Sequence, residues 1–362
     1  MTRSRSLTFR ISIALTMNSE LAIGNLLVRQ RELAVGAKLV LKYDAIIAGL
    51  SWEDRATFCL SQLSYPPAEA MLLKFKSRST EVEKAKNRHL ATFMAILPAL
   101  SVKELGPSTD TQINFLALKA WLQDRYTAAG RPLSILLDVT CIPKTYVLYL
   151  LGLGFTEELI ARMDCVYGPG VYDLMADNGA GASSLSGPRS ILSEGEWRAR
   201  QIPYLEADNY IANDSDLLVT LGGELGLTLP FIESYEPRRL GLVFIGETSP
   251  GSAYPMRASE MRAYEELLRE PNAECTDLAL CDAIAVASHA LQFVTASAAR
   301  SITAMALGSK PHALGLGVAA LANTNMEIVC RTPSAYRPIN VAASGKLMLY
   351  EIEDRFDPAS YL

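Results

Sequence analysis

Apolar residues along the chain alternate between short continuous runs and stretches of helical spacing. Tyr43-Asp44-Ala45-Ile46-Ile47-Ala48-Gly49-Leu50 has the length and β-branched content of a buried strand and ends at a glycine. Ala56 to Leu63 follows with a helical pattern, Met71 to Phe75 reads as the next strand, and Thr80 to Leu97 as an amphipathic helix. Ser101 to Leu105 is a third strand stopped by Gly106-Pro107. A long helix follows over Ser108 to Tyr126, with Ile113, Leu116, Ala117, Ala120 and Trp121 on one face, before the break at Gly130-Arg131-Pro132. A fourth strand ends at Asp138, and Pro143-Lys144 leads into another apolar helix. Strands and helices in strict alternation predict a parallel, doubly wound sheet, in which ligands gather at the carboxyl ends of the strands.

The pattern then repeats in altered form. Asp216-Leu217-Leu218-Val219-Thr220-Leu221-Gly222-Gly223 corresponds to the strand that begins at Asp44, and Ile302 to Pro311 corresponds to Ile135 to Pro143. The interval from Asp44 to Pro143 nearly equals that from Asp216 to Pro311, and each proline turn is followed by a helix, a strand and a Pro-x-x-Tyr ending at Tyr172 or Tyr336. Between the copies, 175–188 is small, polar and glycine-rich, which suits a lid or a linker. Glu196 to Tyr204 alternates as an edge strand does. In the second copy Leu240 to Ile245, Glu274 to Thr276, Ile302 to Ala306 and Met326 to Cys330 read as strands. Ala258 to Arg269, Leu280 to Ala299 and His312 to Ala322 read as helices, and Ser344 to Ile352 as a terminal edge strand. The expected organisation is edge elements or an arm over 1–42, a first unit over 43–175, a flexible loop and linker over 176–212, and a second unit over 213–362. Residues 18–42 carry Arg29, Arg31, Lys38 and Lys42 and fit a short helix or a strand pair.

Bulk properties narrow the classes. A chain of 362 residues exceeds one ordinary core, in keeping with two units. Hydrophobic residues make up 49% and charged residues 20%, an ordinary globular balance. The net charge of −5 argues against direct binding of DNA or RNA over the surface. Six cysteines without a C-x-x-C pair, and three histidines without ligand spacing, argue for reduced thiols in a cytoplasmic protein with no metal and no cofactor. No apolar run reaches the length of a membrane span; Tyr146 to Phe155 comes nearest and is too short. Arg3, Arg5 and Arg10 before Ile11 to Met17 loosely imitate a leader peptide, but the run is short and no cleavage site follows, so an arm on the first unit, or a start at Met17, is expected instead.

The chemistry-bearing residues gather at predicted strand ends. Leu307-Gly308-Ser309-Lys310-Pro311 leaves a strand through a glycine and enters a helix, so its free amides, with Ser309 and Lys310, suit a phosphate or carboxylate. It lacks the order of a Walker A loop. The alternative is a plain turn in which Ser309 caps the helix. In the first copy Asp138 stands where the second has Ala306, and it could bind a sugar hydroxyl, act as a base, or cap the helix near Pro143. Thr140 and Cys141 follow it, and Cys141 has no histidine partner to activate it. Ser51-Trp52-Glu53-Asp54-Arg55 could stack a base and bind its ribose, or could be a helix capped by Ser51, with Asp54 three residues on and an exposed ion pair. Gly222 and Gly223 allow close backbone approach or simply form a tight turn. Gly315 and Gly317 inside a helix pattern point to close helix packing or to an interface between the repeats.

At Leu307-Gly308-Ser309-Lys310, with the small-residue helix behind it, the chain resembles the CARF domains, CRISPR-associated sensors of cyclic oligonucleotides. In the first copy Thr140-Cys141-Ile142 replaces the Gly-Ser-Lys turn. The resemblance implies an α/β fold of two tandem Rossmann-like units with mostly parallel, doubly wound sheets. It also implies a ligand site at Gly308, Ser309 and Lys310, with the first-strand loops at Gly49, Leu50 and Ser51 and at Gly222 and Gly223. The leading expectation is binding or sensing of a nucleotide or another phosphorylated small ligand in a regulatory or antiviral defence setting. An enzyme acting on a phosphodiester or N-glycosidic bond, with Glu53 or Asp138 as acid or base, is the alternative. A structural subunit with a protein partner, or a homo-oligomer, is the third.

Overall fold

The computed structural model describes residues 18–66, 68–77, 79–171, 193–208, 215–222, 228–246, 265–267, 269, 272–297, 301–336 and 338–355. The stretch before Met17, Tyr172, the glycine-rich segment 175–188, Gly223 and most of the helix expected over Ala258 to Arg269 lie outside them.

Two mostly parallel sheets organise the molecule. The first unit contributes β3 (Ala45–Gly49), β4 (Glu69–Phe75), β5 (Leu100–Leu105), β6 (Leu133–Asp138) and β7 (Ile160–Tyr167). Their spatial order is β5-β4-β3-β6-β7, all parallel. The second unit contributes β10 (Ser215–Thr220), β11 (Leu240–Gly246), β12 (Ala273–Ala279), β13 (Ser301–Ala306) and β14 (Met326–Tyr336). Their order, β12-β11-β10-β13-β14, is the same and again parallel. Both are the Rossmann order, with the first and fourth strands adjacent at the point where the winding reverses. The chain is therefore an α/β protein of two tandem Rossmann-like units.

Helices cover both faces of each sheet. On one face of the first sheet lie α1 (Phe58–Gln62) and α2 (Thr80–Ile96), whose Leu60 and Phe93 join Ile46, Leu72 and Leu136 in one apolar cluster. The other face meets α3 (Thr111–Ala129) and α4 (Lys144–Thr156). Gly130, at φ +66°, ends α3 in the left-handed conformation that glycine adopts without strain. In the second unit α5 (Leu229–Tyr235) packs on one face through Ile232. On the other lie α6 (Ala283–Ala296) and α7 (Lys310–Leu321). The inner helices α3, α4, α6 and α7 share a single core with residues of both sheets, so the units are fused rather than strung together.

The glycines of α7 explain that closeness. A methyl on Gly315 would stand 2.3 Å from the Ala283 carbonyl oxygen of α6, and one on Gly317 would stand 2.7 Å from Leu148 and Leu151 of α4. Both expected roles are present, because Gly315 packs a helix of its own unit and Gly317 forms the contact between repeats.

The strands beyond the fifth position are exchanged. β9 (Ser193–Gln201), which follows the first unit in sequence, pairs antiparallel with β14 at the edge of the second sheet. β16 (Leu347–Asp354), which follows the second unit, pairs antiparallel with β7 of the first sheet. Where the two crossovers pass, β8 (Gly170–Val171) pairs with β15 (Ala342–Ala343). The expectation of a terminal edge strand over Ser344 to Ile352 is corrected. β16 is flanked on its other side by β2 (Leu26–Leu33), and Leu347, Met348, Leu349, Tyr350 and Ile352 are buried, as in a strand covered on both faces. The N-terminal elements resolve as a hairpin of β1 (Asn18–Ile23) and β2, turning at Gly24 with φ +54°. Among the described residues no helix is long and apolar enough to cross a membrane.

Candidate functional site

The carboxyl ends of the two central strand pairs hold most of the residues singled out from sequence. In the first unit Ala48 of β3 pairs with Asp138 of β6, and in the second Thr220 of β10 pairs with Ala306 of β13. Each first strand then passes a glycine against the turn that leaves the fourth. A methyl on Gly49 would lie 3.0 Å from the Cys141 carbonyl carbon, and one on Gly222 would lie 3.0 Å from the Leu307 carbonyl oxygen. Both glycines thus serve close backbone approach, at equivalent places in the two units.

The two turns face each other across the contact of α4 with α7. Lys144, the first residue of α4, donates from Nζ to the carbonyls of Leu307 at 2.9 Å and Gly308 at 2.8 Å. Lys310, the first residue of α7, donates from Nζ to the carbonyl of Thr140. Each unit therefore extends a lysine from a helix start onto the other unit's strand-end turn. Cys141, Pro143, Lys144, Leu307, Gly308 and Lys310 are each partly buried at this seam.

Burial and Arg55 hold the Lys310 ammonium below its ordinary value, while Cys141, Glu53 and Asp138 pull it back up. Asp138 is buried, and that burial pushes its carboxyl up to about 6 against the hydrogen bonds of Thr140 and the charges of Lys310 and Arg55. Its Oδ1 accepts from the Thr140 amide at 2.9 Å, whereas Oδ2 has no hydrogen-bond partner among the described residues. Asp138 does not cap α4, whose N-cap is Pro143 with no side-chain hydrogen bond. Ser309 does cap α7: its Oγ accepts from the His312 amide at 3.1 Å and donates to the Leu280 carbonyl at 2.6 Å. Thr140 turns its Oγ inward, accepting from the Gly168 amide at 3.0 Å and lying 3.2 Å from Cys59 Sγ.

The loop after β3 is held shut by the crossover that leads to β16. Trp52 Nε1 donates to the Ile339 carbonyl at 3.1 Å, the Asp54 amide to Asn340 at 2.9 Å, and the Arg55 amide to the Val341 carbonyl at 3.3 Å. Glu53 pairs with buried Arg55 at 2.7 Å, and Arg55 Nη1 donates to the Gly168 carbonyl at 3.3 Å. The capping box expected at Ser51 and Asp54 is not formed. A 3₁₀ turn over Asp54–Thr57 starts from Glu53, and the Ser51 carbonyl instead meets His89 Nδ1 at 2.7 Å. Glu53, Asp138, Thr140 and Lys310 are thus one electrostatic neighbourhood, with Gly49, Gly222, Gly308 and Ser309 shaping its walls. Trp52 stands beside it, against the crossover.

Two members were missed from sequence. Arg55 was placed in the loop after the first strand with an exposed ion pair as one of its two readings, yet it is 3% exposed. Lys144 escaped because aligning Pro143 with Pro311 sets the two lysines out of step, Pro-Lys in one turn and Lys-Pro in the other. Aligning helix starts instead places Lys144 on Lys310, with the first turn two residues longer than the second.

The thiols and the histidine near the two turns are not activated. Burial pushes the Cys141 and Cys59 thiols well up, away from the thiolate. His312, whose Nε2 lies 2.9 Å from the Ala279 carbonyl, is held down to about 4 by burial and stays neutral. Among the described residues no group of three or more His, Cys, Asp or Glu side chains is placed to hold a metal ion. No family model matches the chain, and a search of the curated proteins finds no match.

Proposed function

We propose that this chain binds, and through binding senses, a nucleotide or another phosphorylated small ligand at the seam between the two strand-end turns. The observation that carries the reading is the reciprocal reach of Lys144 and Lys310 onto backbone carbonyls of the opposite unit. An ammonium gains more from a phosphate than from a neutral carbonyl, since both partners of the new hydrogen bond are charged. Two helix starts meet at the same seam, adding their positive ends. A ligand there would loosen contacts that tie one unit to the other, which is what a sensor needs. The resemblance of the Leu307 to Lys310 turn to CARF domains agrees with a regulatory or defence role. Six free cysteines agree with a cytoplasmic setting.

A hydrolase built on Asp138 is the second reading, favoured by a carboxyl held near 6. It rests on that one carboxyl, whereas the reciprocal lysines rest on three hydrogen bonds, so binding is the better conclusion.

The test is thermal unfolding against a panel of nucleotides and sugar phosphates. A ligand at one hundred times its Kd contributes about 2.7 kcal/mol, which for a chain of this length raises Tm by roughly 3–4 °C. Lys310→Ala is expected to abolish the shift. A panel without any shift defeats the reading.

A further inference from the structure

We infer that Asp138 is the specificity-determining acceptor of the site, and that it selects a phosphorylated ligand carrying a free hydroxyl, such as the ribose of a ribonucleotide or a free sugar phosphate. The inference rests on the binding reading above and adds the chemistry of the ligand's other end.

Three observations converge on Asp138. It is the last residue of β6, at the crevice where β3 and β6 part, the position at which doubly wound sheets take their ligands. Asp138 is 1% exposed, and Oδ2 finds no donor among the described residues. A buried carboxylate oxygen without a donor is a standing penalty, so a sequence that keeps one gains something from it elsewhere. Oδ1 closes a local turn on the Thr140 amide and α4 takes no side-chain cap, so neither structural role uses Oδ2.

The nearby cations are engaged with other acceptors. Lys310 Nζ lies on the Thr140 carbonyl, while Arg55 bonds Glu53 through Nε and the Gly168 carbonyl through Nη1. What Asp138 accepts is therefore an uncharged donor. A hydroxyl fits, and a hydroxyl is what a sugar places beside its phosphate.

Thr140 links the two ends of such a ligand. Its amide is bound by Asp138 Oδ1 and its carbonyl by Lys310. A phosphate that draws Lys310 off this carbonyl frees the residue that also holds Asp138, so the anionic and hydroxyl ends are read through one turn. The second unit has Ala306 at the equivalent strand end and Ser309 committed to its helix cap. Hydroxyl selection belongs to the first unit alone.

The experiment compares affinities by thermal shift and calorimetry for four ribonucleoside 5′-monophosphates, their 2′-deoxy and 3′-deoxy counterparts, ribose 5-phosphate and 2-deoxyribose 5-phosphate. A hydrogen bond to a charged acceptor predicts that the wild type prefers the hydroxylated member of a pair by about tenfold or more. Asp138→Asn, which replaces the charged acceptor with a neutral amide, is expected to bring that ratio close to one. Asp138→Ser serves if the asparagine variant does not fold, and is expected to lower the ratio likewise. A preference confined to nucleotides identifies the ribonucleotide as the source, and one shared by ribose 5-phosphate identifies the sugar phosphate. If phosphates bind through Lys310 but every pair binds equally, the inference on Asp138 is overturned and the binding function stands. If nothing in the set binds the wild type, both fall.

Discussion

The tight seam between helices makes one glycine an unusually sharp probe. Gly315 lies in the middle of α7, where alanine ordinarily stabilises a helix by about 1 kcal/mol. Here the new methyl would sit 2.3 Å from the Ala283 carbonyl oxygen, 2.9 Å from Val286 Cβ and 3.1 Å from the Ala287 amide nitrogen. Ordinary contact needs roughly 1 Å more than the shortest of these, and the obstruction is backbone, so α6 and α7 must separate as bodies. Overpacking of this kind costs about 3 kcal/mol, the upper part of its usual range. Subtracting the propensity gain leaves Gly315→Ala destabilised by about 2 kcal/mol. Gly317→Ala is the internal control, because its methyl would meet the ends of two leucine side chains at 2.7 Å, and these can turn aside. Its penalty of about 1 kcal/mol is cancelled by propensity, so near-neutrality is expected. Urea unfolding of the three proteins side by side measures the difference. A Gly315→Ala protein as stable as the wild type, or more so, would refute the close packing of α6 on α7.

Other consequences follow from the exchange of strands and from buried charge. Ending the chain after Lys346 removes five buried side chains of β16; at about 2 kcal/mol each this approaches the whole stability of a domain, so circular dichroism should show no cooperative melt in either unit. Arg162 binds Asp164, Glu351 and Glu353, so Arg162→Ala strands a buried acid and should lose about 3 kcal/mol in chemical unfolding, whereas Glu353→Ala should lose far less. Asp138, raised from 3.8 to about 6, stabilises the fold most when protonated, and that contribution disappears as pH rises from about 4 through 6. Asp138→Asn should therefore gain on the wild type by about 3 kcal/mol across this interval. The comparison must be made as a difference, because neutral His312 drives stability the other way, down as pH falls toward 4. An unliganded Asp138→Asn protein that tracks the wild type at every pH would show that the carboxyl is not buried as described.

Much of the architecture could be read from the chain because each unit is written locally. Strand runs such as Ala45–Gly49 and Ile302 to Ala306, helix patterns between them, and glycine at the first strand's end all agree with one topology. The exchange of β9 and β16 was not legible in the same way, since periodicity says that a segment is a strand but not which strand it joins. A hint was present in Leu347-Met348-Leu349-Tyr350, a run too continuously apolar for an edge. The hairpin turn at Gly24-Asn25 was likewise a readable signal, a two-residue loop between alternating strands. At the site, Lys310, Asp138 and the glycines were visible from strand-end position. Lys144 was hidden by the inverted order of lysine and proline, and Arg55 by lying beside two acids that suggested a solvated face. The partnership of Lys144 with Leu307 and Gly308 joins residues far apart in the chain, and it follows only once the two units share a core.

The proposed site for a phosphorylated ligand stands or falls with the reciprocal lysines. Mass spectrometry of small molecules released from the purified full-length protein tests it most directly, with wild type and a Lys144→Ala, Lys310→Ala double variant prepared alike. A phosphate-bearing, hydroxylated compound is expected in near-equimolar amount from the wild type and is lost from the variant. The same compound in equal amount from both proteins, or no phosphorylated compound from the wild type, would contradict it.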